Sequence, residues 1–265
     1  MSQKLLEHER LVIGMIHLRA LPGTPGNTLP VGDIIQEACR EAEIYRTLGV
    51  GALLIENMHD RPYLRSEVGP EIVATITAAS QAVRSLFEGP IGVQVLAGAN
   101  EAALAVALGA GLDFVRVEGF VFAHIADEGL IQGCAGELLR KRKAWDAESV
   151  KVFTDIKKKH SSHAITADVD LAETAKAAEF FGSDGLIVSG VATGAPVEIA
   201  ELESVSNVAK GPILIGSGAT PSDVNQLFEY ASGVIVGSYF KVDGRWENSI
   251  DPTRVREFVK KAKGG

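Results

Sequence analysis

Polar and charged side chains stand where several short apolar runs end in the first 160 residues of the sequence. Carboxylates, amines and imidazoles placed there could transfer protons or stabilise charge that develops during a reaction. We predict the following residues to be catalytic: Glu56, Asp155, Lys157, Lys159 and His160. A second group is predicted to bind substrate: His17, Asn57, Asp60, Arg116 and Glu118.

The run VKVFTDIKKKH at residues 150–160 holds the densest group of these candidates. If strand alternation continues through the run, Asp155, Lys157 and Lys159 point to one side. The alternative is a strand that ends at Asp155 and a solvated loop that carries the lysines. We favour a site that contains Asp155 and one of Lys157 or Lys159, and we expect Lys158 to belong to the solvated loop.

Two later apolar runs end in glycine and serine instead of charge, namely PILIGSGAT at residues 212–220 and GVIVGSYFK at residues 233–241. Glycine lets the backbone approach an anion closely, while turn amides and serine hydroxyls can donate hydrogen bonds to it. Residues 189–194 (SGVATG) could form a third wall. We therefore predict a phosphate-bearing ligand held by Ser189, Gly190, Gly216, Ser217, Gly218, Gly237 and Ser238. Either glycine pair alone could be a plain turn.

Composition narrows the classes of function. The 265 residues carry a formal net charge of −8, which argues against broad binding to nucleic acid or anionic membranes. The two cysteines and the scattered histidines have no metal-site spacing. Walker and dinucleotide-binding motifs are absent from the sequence, so we predict neither a metal nor a cofactor. No signal peptide or membrane-spanning run is recognised, and a cytoplasmic protein without integral membrane association is expected.

The apolar runs must be held by a fold that brings their ends together. Runs rich in valine and isoleucine alternate with helical stretches eight times along the chain. Such alternation predicts a parallel sheet covered by helices, and eight units in about 250 residues are typical of a (β/α)8 TIM barrel. We predict an α/β protein with one barrel domain over residues 1–265, with chemistry at the carboxyl ends of the strands. An open doubly wound sheet is the alternative.

Several long segments resemble the BtpA/SgcQ family. They are VIGMIHLRALPGTPG (12–26), GALLIENMHDRPY (51–63), VKVFTDIKKKH (150–160), GLIVSGVATGAPV (185–197), PILIGSGAT (212–220) and GVIVGSYFKVDGRWENSID (233–251). The resemblance implies a barrel. It also associates the chain with a namesake in photosystem I biogenesis, with a branch found beside sugar-uptake genes, and with members labelled as nucleosidases. The segments 94–100 (QVLAGAN) and 116–129 (RVEGFVFAHIADEG) depart from the commoner family form.

Two functions of different class remain open at this point. One is an enzyme that acts on a phosphorylated sugar or nucleotide-like metabolite, as an isomerase, a lyase or a hydrolase of glycosidic bonds. The other is a non-catalytic assembly factor that keeps the barrel as a scaffold. A homo-oligomer is compatible with both.

Overall fold

Parallel strands close into a barrel in the computed structural model, which describes residues 10–190 and 197–264. Eight such strands occur in these residues: β1 (Leu11–His17), β2 (Ala52–Glu56), β3 (Ile91–Gln94), β4 (Phe114–Val117), β7 (Lys151–Asp155), β9 (Gly185–Val188), β10 (Ile213–Ile215) and β11 (Gly233–Val236). The ring runs β1-β11-β10-β9-β7-β4-β3-β2 and returns to β1. This closure confirms the predicted barrel and excludes the open doubly wound sheet.

Helices cover the outside of the ring. They are α1 (Val31–Thr47), α2 (Pro70–Leu86), α3 (Asn100–Ala110), α4 (Ala135–Ala144), α5 (Leu171–Phe180), α6 (Ile199–Ser206), α7 (Val224–Leu227) and α8 (Pro252–Ala262). Local sequence fixes two of their starts. Asp170 accepts a hydrogen bond from the backbone N–H of Glu173, and Asp251 accepts one from the N–H of Thr253, so each caps a first turn.

Strand alternation divides the apolar side chains into two layers. Leu11, Ile13 and Met15 of β1 point into the barrel, whereas Val12 and Ile16 point outward to the helices. The interior layer is completed by Ala52, Leu54, Phe114, Phe153, Ile187, Leu214 and Ile235. Because these side chains fill the barrel, the interior is a packed floor rather than a channel, and a ligand must bind at the strand ends.

A small antiparallel sheet lies outside the ring and was not predicted. It contains β5 (Ala123–Ala126), β6 (Gly129–Gln132) and β8 (Ser161–Ser162) in the order β6-β5-β8. The hairpin formed by β5 and β6 lies between β4 and α4 in the chain. Strand β8 joins this hairpin to the segment after β7 through the pairs Ile125↔Ser162 and Ala126↔Ser161. This sheet ties the lysine-rich segment to the rim of the barrel.

Candidate functional site

A cavity of about 530 Å³ opens at the carboxyl ends of the barrel strands. It joins two groups of predicted residues that lie far apart in sequence. We call the first the charged half, which comprises His17, Glu56, Arg116, Glu118, Lys158, Lys159 and His160. We call the second the glycine half, which comprises Gly216, Ser217, Gly218, Gly237 and Ser238. Both halves face the same space.

Arg116 and Asp155 form a buried bidentate ion pair beneath the cavity. The distance from Arg116 Nε to Asp155 Oδ2 is 2.7 Å, and the distance from Nη2 to Oδ1 is 2.8 Å. The Ser189 hydroxyl also donates to Asp155 Oδ1, at 3.2 Å. Burial alone would lower the pKa of Arg116, but the Asp155 carboxylate raises it above its usual value. Asp155 is therefore committed to Arg116 and Ser189, and it positions the guanidinium from below rather than lining the cavity.

Glu56 at the end of β2 is a buried carboxyl group. Burial raises its pKa to about 7, against the opposing effect of the Arg116 and Lys159 charges. His17 Nε2 lies 3.7 Å from Glu56 Oε2, and His17 Nδ1 lies 3.4 Å from the Trp246 carbonyl oxygen. Burial and the Lys241 charge hold the pKa of His17 well below its usual range, so the imidazole is neutral. A carboxyl group that titrates near neutrality can both give and take a proton.

The three consecutive lysines have three different environments. Lys157 leaves the cavity and pairs with Glu201, with 2.9 Å from Nζ to Oε1, and 43% of its side chain is exposed. Lys158 pairs with Glu118 and Glu128 at 3.3 and 3.5 Å and is 12% exposed. Because β7 ends at Asp155, strand alternation does not continue through the lysines, and the expectation of a catalytic Lys157 is corrected. The expectation that Lys158 belongs to a solvated loop is also corrected, because its side chain is largely buried and lines the cavity.

Lys159 lines the cavity as a member of the charged half. Within the described parts of the chain, its amine has no carboxylate within ion-pair distance. Burial and the Arg116 charge lower the pKa of Lys159, although Glu56 and Asp155 act against this change. His160 follows with a positive φ of 52° and lies at the exposed edge of the cavity.

Asn57 and Asp60 are buried but do not line the cavity. The Asn57 amide donates to Asp60 Oδ2 at 2.8 Å, and Asn57 Oδ1 accepts from the Leu96 N–H at 2.8 Å. Asp60 Oδ1 accepts from the Leu21 N–H, also at 2.8 Å. These bonds tie together the loops after β1, β2 and β3. The expectation that both residues contact substrate is thus corrected to a role in holding these loops.

Ser217 and Gly218 present unpartnered donors in the glycine half. The Ser217 hydroxyl oxygen is buried and has no hydrogen-bond partner in the described chain. The backbone N–H groups of Ser217 and Gly218 likewise find no acceptor there. Gly218 has a φ of +82°, a conformation that favours glycine. Such donors can bind an anion without a change of backbone.

Two other glycines are required by close packing. A Cβ atom on Gly216 would lie 2.1 Å from Ser189 Oγ, and one on Gly237 would lie 3.2 Å from the His17 ring. Ser189 is held by Asp155, and the adjacent Gly190 is buried without lining the cavity. Of the third wall expected from residues 189–194, residues 191–194 lie outside the described residues.

Arg254 completes the cavity beside the glycine half and was missed by sequence reasoning. Its Nε donates to the Tyr239 carbonyl at 2.6 Å, and its guanidinium carbon lies 4.3 Å from the centre of the Tyr239 ring. Arg254 stands in the first turn of α8. In this fold a helix begins near the carboxyl end of the preceding strand, so a basic residue at that position was the available signal.

Two further groups on the walls were not among the candidates. Trp246 lies 4.7 Å beneath the Arg61 guanidinium and gives the cavity an aromatic surface. Gln94 at the end of β3 has a buried Oε1 without a partner among the described residues. Both can contact the part of a ligand that lies away from the glycine half.

Metal-binding clusters and membrane-spanning helices are both absent from the residues that the structure describes. No cluster of three or more histidine, cysteine, aspartate or glutamate side chains in the described chain is arranged to hold a metal ion. None of the described helices combines the length and apolar character needed to cross a membrane.

Sequence comparison connects this architecture to known proteins. A model of the BtpA family matches residues 8–264. An uncharacterized protein of Caenorhabditis elegans, named as mitochondrial, is 49% identical over 97% of this chain and 95% of its own length. The photosystem I biogenesis protein BtpA of Synechocystis is 37% identical over 94% of this chain and 86% of its own length. The cytoplasmic location stays a prediction.

Structural comparison finds enzymes with the same fold. The (S)-3-O-geranylgeranylglyceryl phosphate synthase of Thermoplasma acidophilum, solved with its substrate sn-glycerol-1-phosphate, superposes with a TM-score of 0.61. The alignment covers 100% of this chain and 97% of the synthase at 15% identity. At that identity the likeness establishes the barrel fold.

Proposed function

The chain belongs to the BtpA family, and we propose that it is an enzyme that acts on a phosphorylated sugar or nucleotide-like metabolite. One observation carries the proposal: a single cavity presents unpartnered donors on one side and a carboxyl group of raised pKa on the other. A phosphate bound at one side would hold the rest of the metabolite against the other.

The phosphate end of the proposed site is the glycine half together with Arg254. The N–H groups of Ser217 and Gly218 and the Ser217 hydroxyl would donate hydrogen bonds, and Arg254 would supply positive charge. The barrel fold commonly binds phosphate at this position, after its last two strands. The substrate sn-glycerol-1-phosphate of the archaeal synthase is an example of a phosphorylated ligand on the same fold.

The reactive end is the charged half. Glu56 would act as the general acid or base, since its pKa of about 7 lets it exchange a proton at neutral pH. Arg116, fixed by Asp155, would stabilise negative charge that develops on the substrate. The neutral His17 would present Nε2 to Glu56 as a hydrogen-bond acceptor. These roles suit an isomerase, a lyase or a hydrolase.

Binding of a simple phosphorylated sugar tests the phosphate end. We expect D-ribose 5-phosphate to raise the melting temperature of the protein, because a ligand that binds the folded state stabilises it, whereas D-ribose should not. Arg254→Gln should weaken this binding by about tenfold or more, since a hydrogen bond to a charged group is lost. Arg256→Gln is the matched control, because Arg256 is exposed on the same helix.

The proposal fails if no phosphorylated compound stabilises the protein. The panel should include ribose 5-phosphate, glycerol 1-phosphate and nucleoside monophosphates, each compared with its unphosphorylated form. Equal loss of affinity in Arg254→Gln and Arg256→Gln would remove the phosphate role of Arg254.

A second candidate function is an assembly factor, which is favoured by the 37% identity to the Synechocystis photosystem I biogenesis protein. In that function the outer surface would carry the activity and the cavity would be dispensable. A Glu56→Gln variant that fully complements a strain lacking the protein would support the assembly role. Loss of complementation by a folded variant would support the enzyme.

A further inference from the structure

Lys159 is the one cation of the charged half that lacks a dedicated anionic partner in the described residues. We propose that Lys159 is a covalent nucleophile, which forms an imine with the carbonyl carbon of a phosphorylated aldehyde or ketone. The inference rests on the proposed function, which supplies the site that would bind the phosphate group of the substrate. It narrows the substrate to a carbonyl compound.

The distribution of ion pairs supports this assignment. Both carboxylate oxygens of Asp155 accept hydrogen bonds from Arg116, from Nε at 2.7 Å and from Nη2 at 2.8 Å. Glu118 is paired with Lys158 at 3.3 Å. An amine that serves only to balance charge would be expected beside one of these carboxylates. Lys159 instead faces the cavity that the substrate would occupy.

The position of Lys159 is fixed by its own segment. The Ser161 hydroxyl donates to the Lys159 carbonyl at 3.2 Å, and Ser161 pairs with Ala126 of the hairpin. The backbone is therefore held next to the cavity, while the side chain reaches into it. A fixed backbone position limits where the amine can reach, and a nucleophile must be positioned in this way to attack one carbon of a bound substrate.

The electrostatic surroundings favour the uncharged amine. Burial and the Arg116 charge both lower the pKa of Lys159, which increases the fraction of free amine. Glu56, Asp155 and Glu118 are the carboxylates that act on it in the opposite sense. Glu56 also exchanges protons near neutral pH, since its own pKa is raised to about 7.

The chemical step is balanced without an oxidant or a reductant. The free amine of Lys159 attacks the carbonyl carbon, and one proton of the nitrogen passes through solvent to the carbonyl oxygen, which gives a neutral carbinolamine. Protonated Glu56 then gives a proton to the hydroxyl group, which leaves as water while the C=N bond forms. The nitrogen keeps its one remaining hydrogen, so the products are a protonated imine, water and the Glu56 carboxylate. The protonated imine can accept electrons from a neighbouring C–C or C–H bond, which points to a lyase or an isomerase.

Pyridoxal 5′-phosphate is the probe of choice, because it carries an aldehyde and a phosphate in one small molecule. The full-length protein is treated with substoichiometric probe, reduced with borohydride, and digested for peptide mass spectrometry. We expect the reduced adduct on Lys159, at least tenfold enriched over any other lysine, and we expect inorganic phosphate to suppress it. Lys159→Arg should abolish the label, and Lys157→Arg, the matched control, should retain it.

The outcomes separate the imine from the phosphate site. Labelling spread over exposed lysines, or unchanged in Lys159→Arg, overturns the inference. If wild-type protein binds ribose 5-phosphate but shows no adduct at Lys159, the imine fails and the phosphate site stands. If neither ribose 5-phosphate nor any other phosphorylated compound binds, both fail. The mapped position in wild-type protein decides the question even if a variant does not fold.

Discussion

The two halves of the cavity differ in how far their polar groups are paired. In the charged half, most ionic groups are held by one another: Arg116 by Asp155, and Lys158 by Glu118 and Glu128. In the glycine half, the Ser217 hydroxyl has no partner among the described residues. Buried charges must be paired to be tolerated, whereas a few neutral donors can stay unpaired at moderate cost. The comparison favours the glycine half, rather than the more highly charged half, as the side where an anion would bind.

The largest effect is expected from breaking the central ion pair. Asp155→Ala leaves the Arg116 guanidinium buried without its carboxylate, and we expect a loss of about 3–5 kcal/mol in the free energy of unfolding. Urea denaturation measures it. Glu173→Ala is the control, because its pair with Lys176 is exposed and should contribute far less to stability. Equal losses would mean that the charged half is not organised by this pair.

Removal of the Glu56 charge should stabilise the protein above neutral pH. The pKa of Glu56 is about 7 in the folded chain and about 4.3 in an unfolded one. The stability that this group contributes is present below the unfolded pKa and is lost as pH rises through about 7. Glu56→Gln should therefore gain up to about 3 kcal/mol at pH 8 and almost nothing at pH 4. Urea denaturation at both pH values measures this, and a destabilised variant at pH 8 would contradict it.

Gly216 tests the packing that joins the two halves. Gly216→Ala would place a methyl group against Ser189 Oγ and 2.8 Å from Ile187 Cγ2, and we expect a loss of about 1–3 kcal/mol. Adding Ser189→Ala should recover part of it, because the nearest atom is removed. Gly32→Ala is the control, since a Cβ there meets nothing within 4 Å. Thermal unfolding of the wild-type protein and the three variants provides the comparison, and no recovery in the double variant would contradict the prediction.

The smallest effect is expected at Lys157. Its ion pair with Glu201 is largely exposed, so Lys157→Gln should change stability by less than about 1 kcal/mol. The affinity for ribose 5-phosphate should also be unchanged. Lys158→Gln sharpens the contrast, because it leaves both Glu118 and Glu128 without their cation, and a larger loss is expected on urea denaturation. A larger effect at Lys157 would place it in the site.

The barrel could be predicted from the sequence because its signals are local. Apolar runs alternate with helical stretches, and β2, β7 and β10 each begin one residue after the start of the apolar run that predicts them, at residues 51, 150 and 212. The convergence of strand ends follows from the fold, so Glu56 and Ser217 could be placed at one mouth in advance. The hairpin β5–β6 could not, because its pairing with β8 joins segments about 35 residues apart.

Side-chain direction beyond the strand ends was the harder problem. Lys157 and Lys159 differ only in where a loop turns, and no periodic pattern encodes that turn. Asn57 and Asp60 lie just after a strand end, yet their side chains are hydrogen-bonded to each other and to backbone groups of other loops. Arg254 lies on a helix, so a list of strand-end residues does not contain it. Each case depends on a tertiary contact rather than on a local pattern.

The short pairing between the hairpin and β8 has a consequence for protein engineering. Since Ser161 and Ser162 are joined to Ala126 and Ile125, the segment that carries Lys159 and the neighbouring hairpin form one structural unit. Grafting residues 157–160 alone onto another barrel would transfer the lysines without the hairpin that fixes their backbone. A chimaera that carries both segments would keep the lysines in their present positions relative to the hairpin.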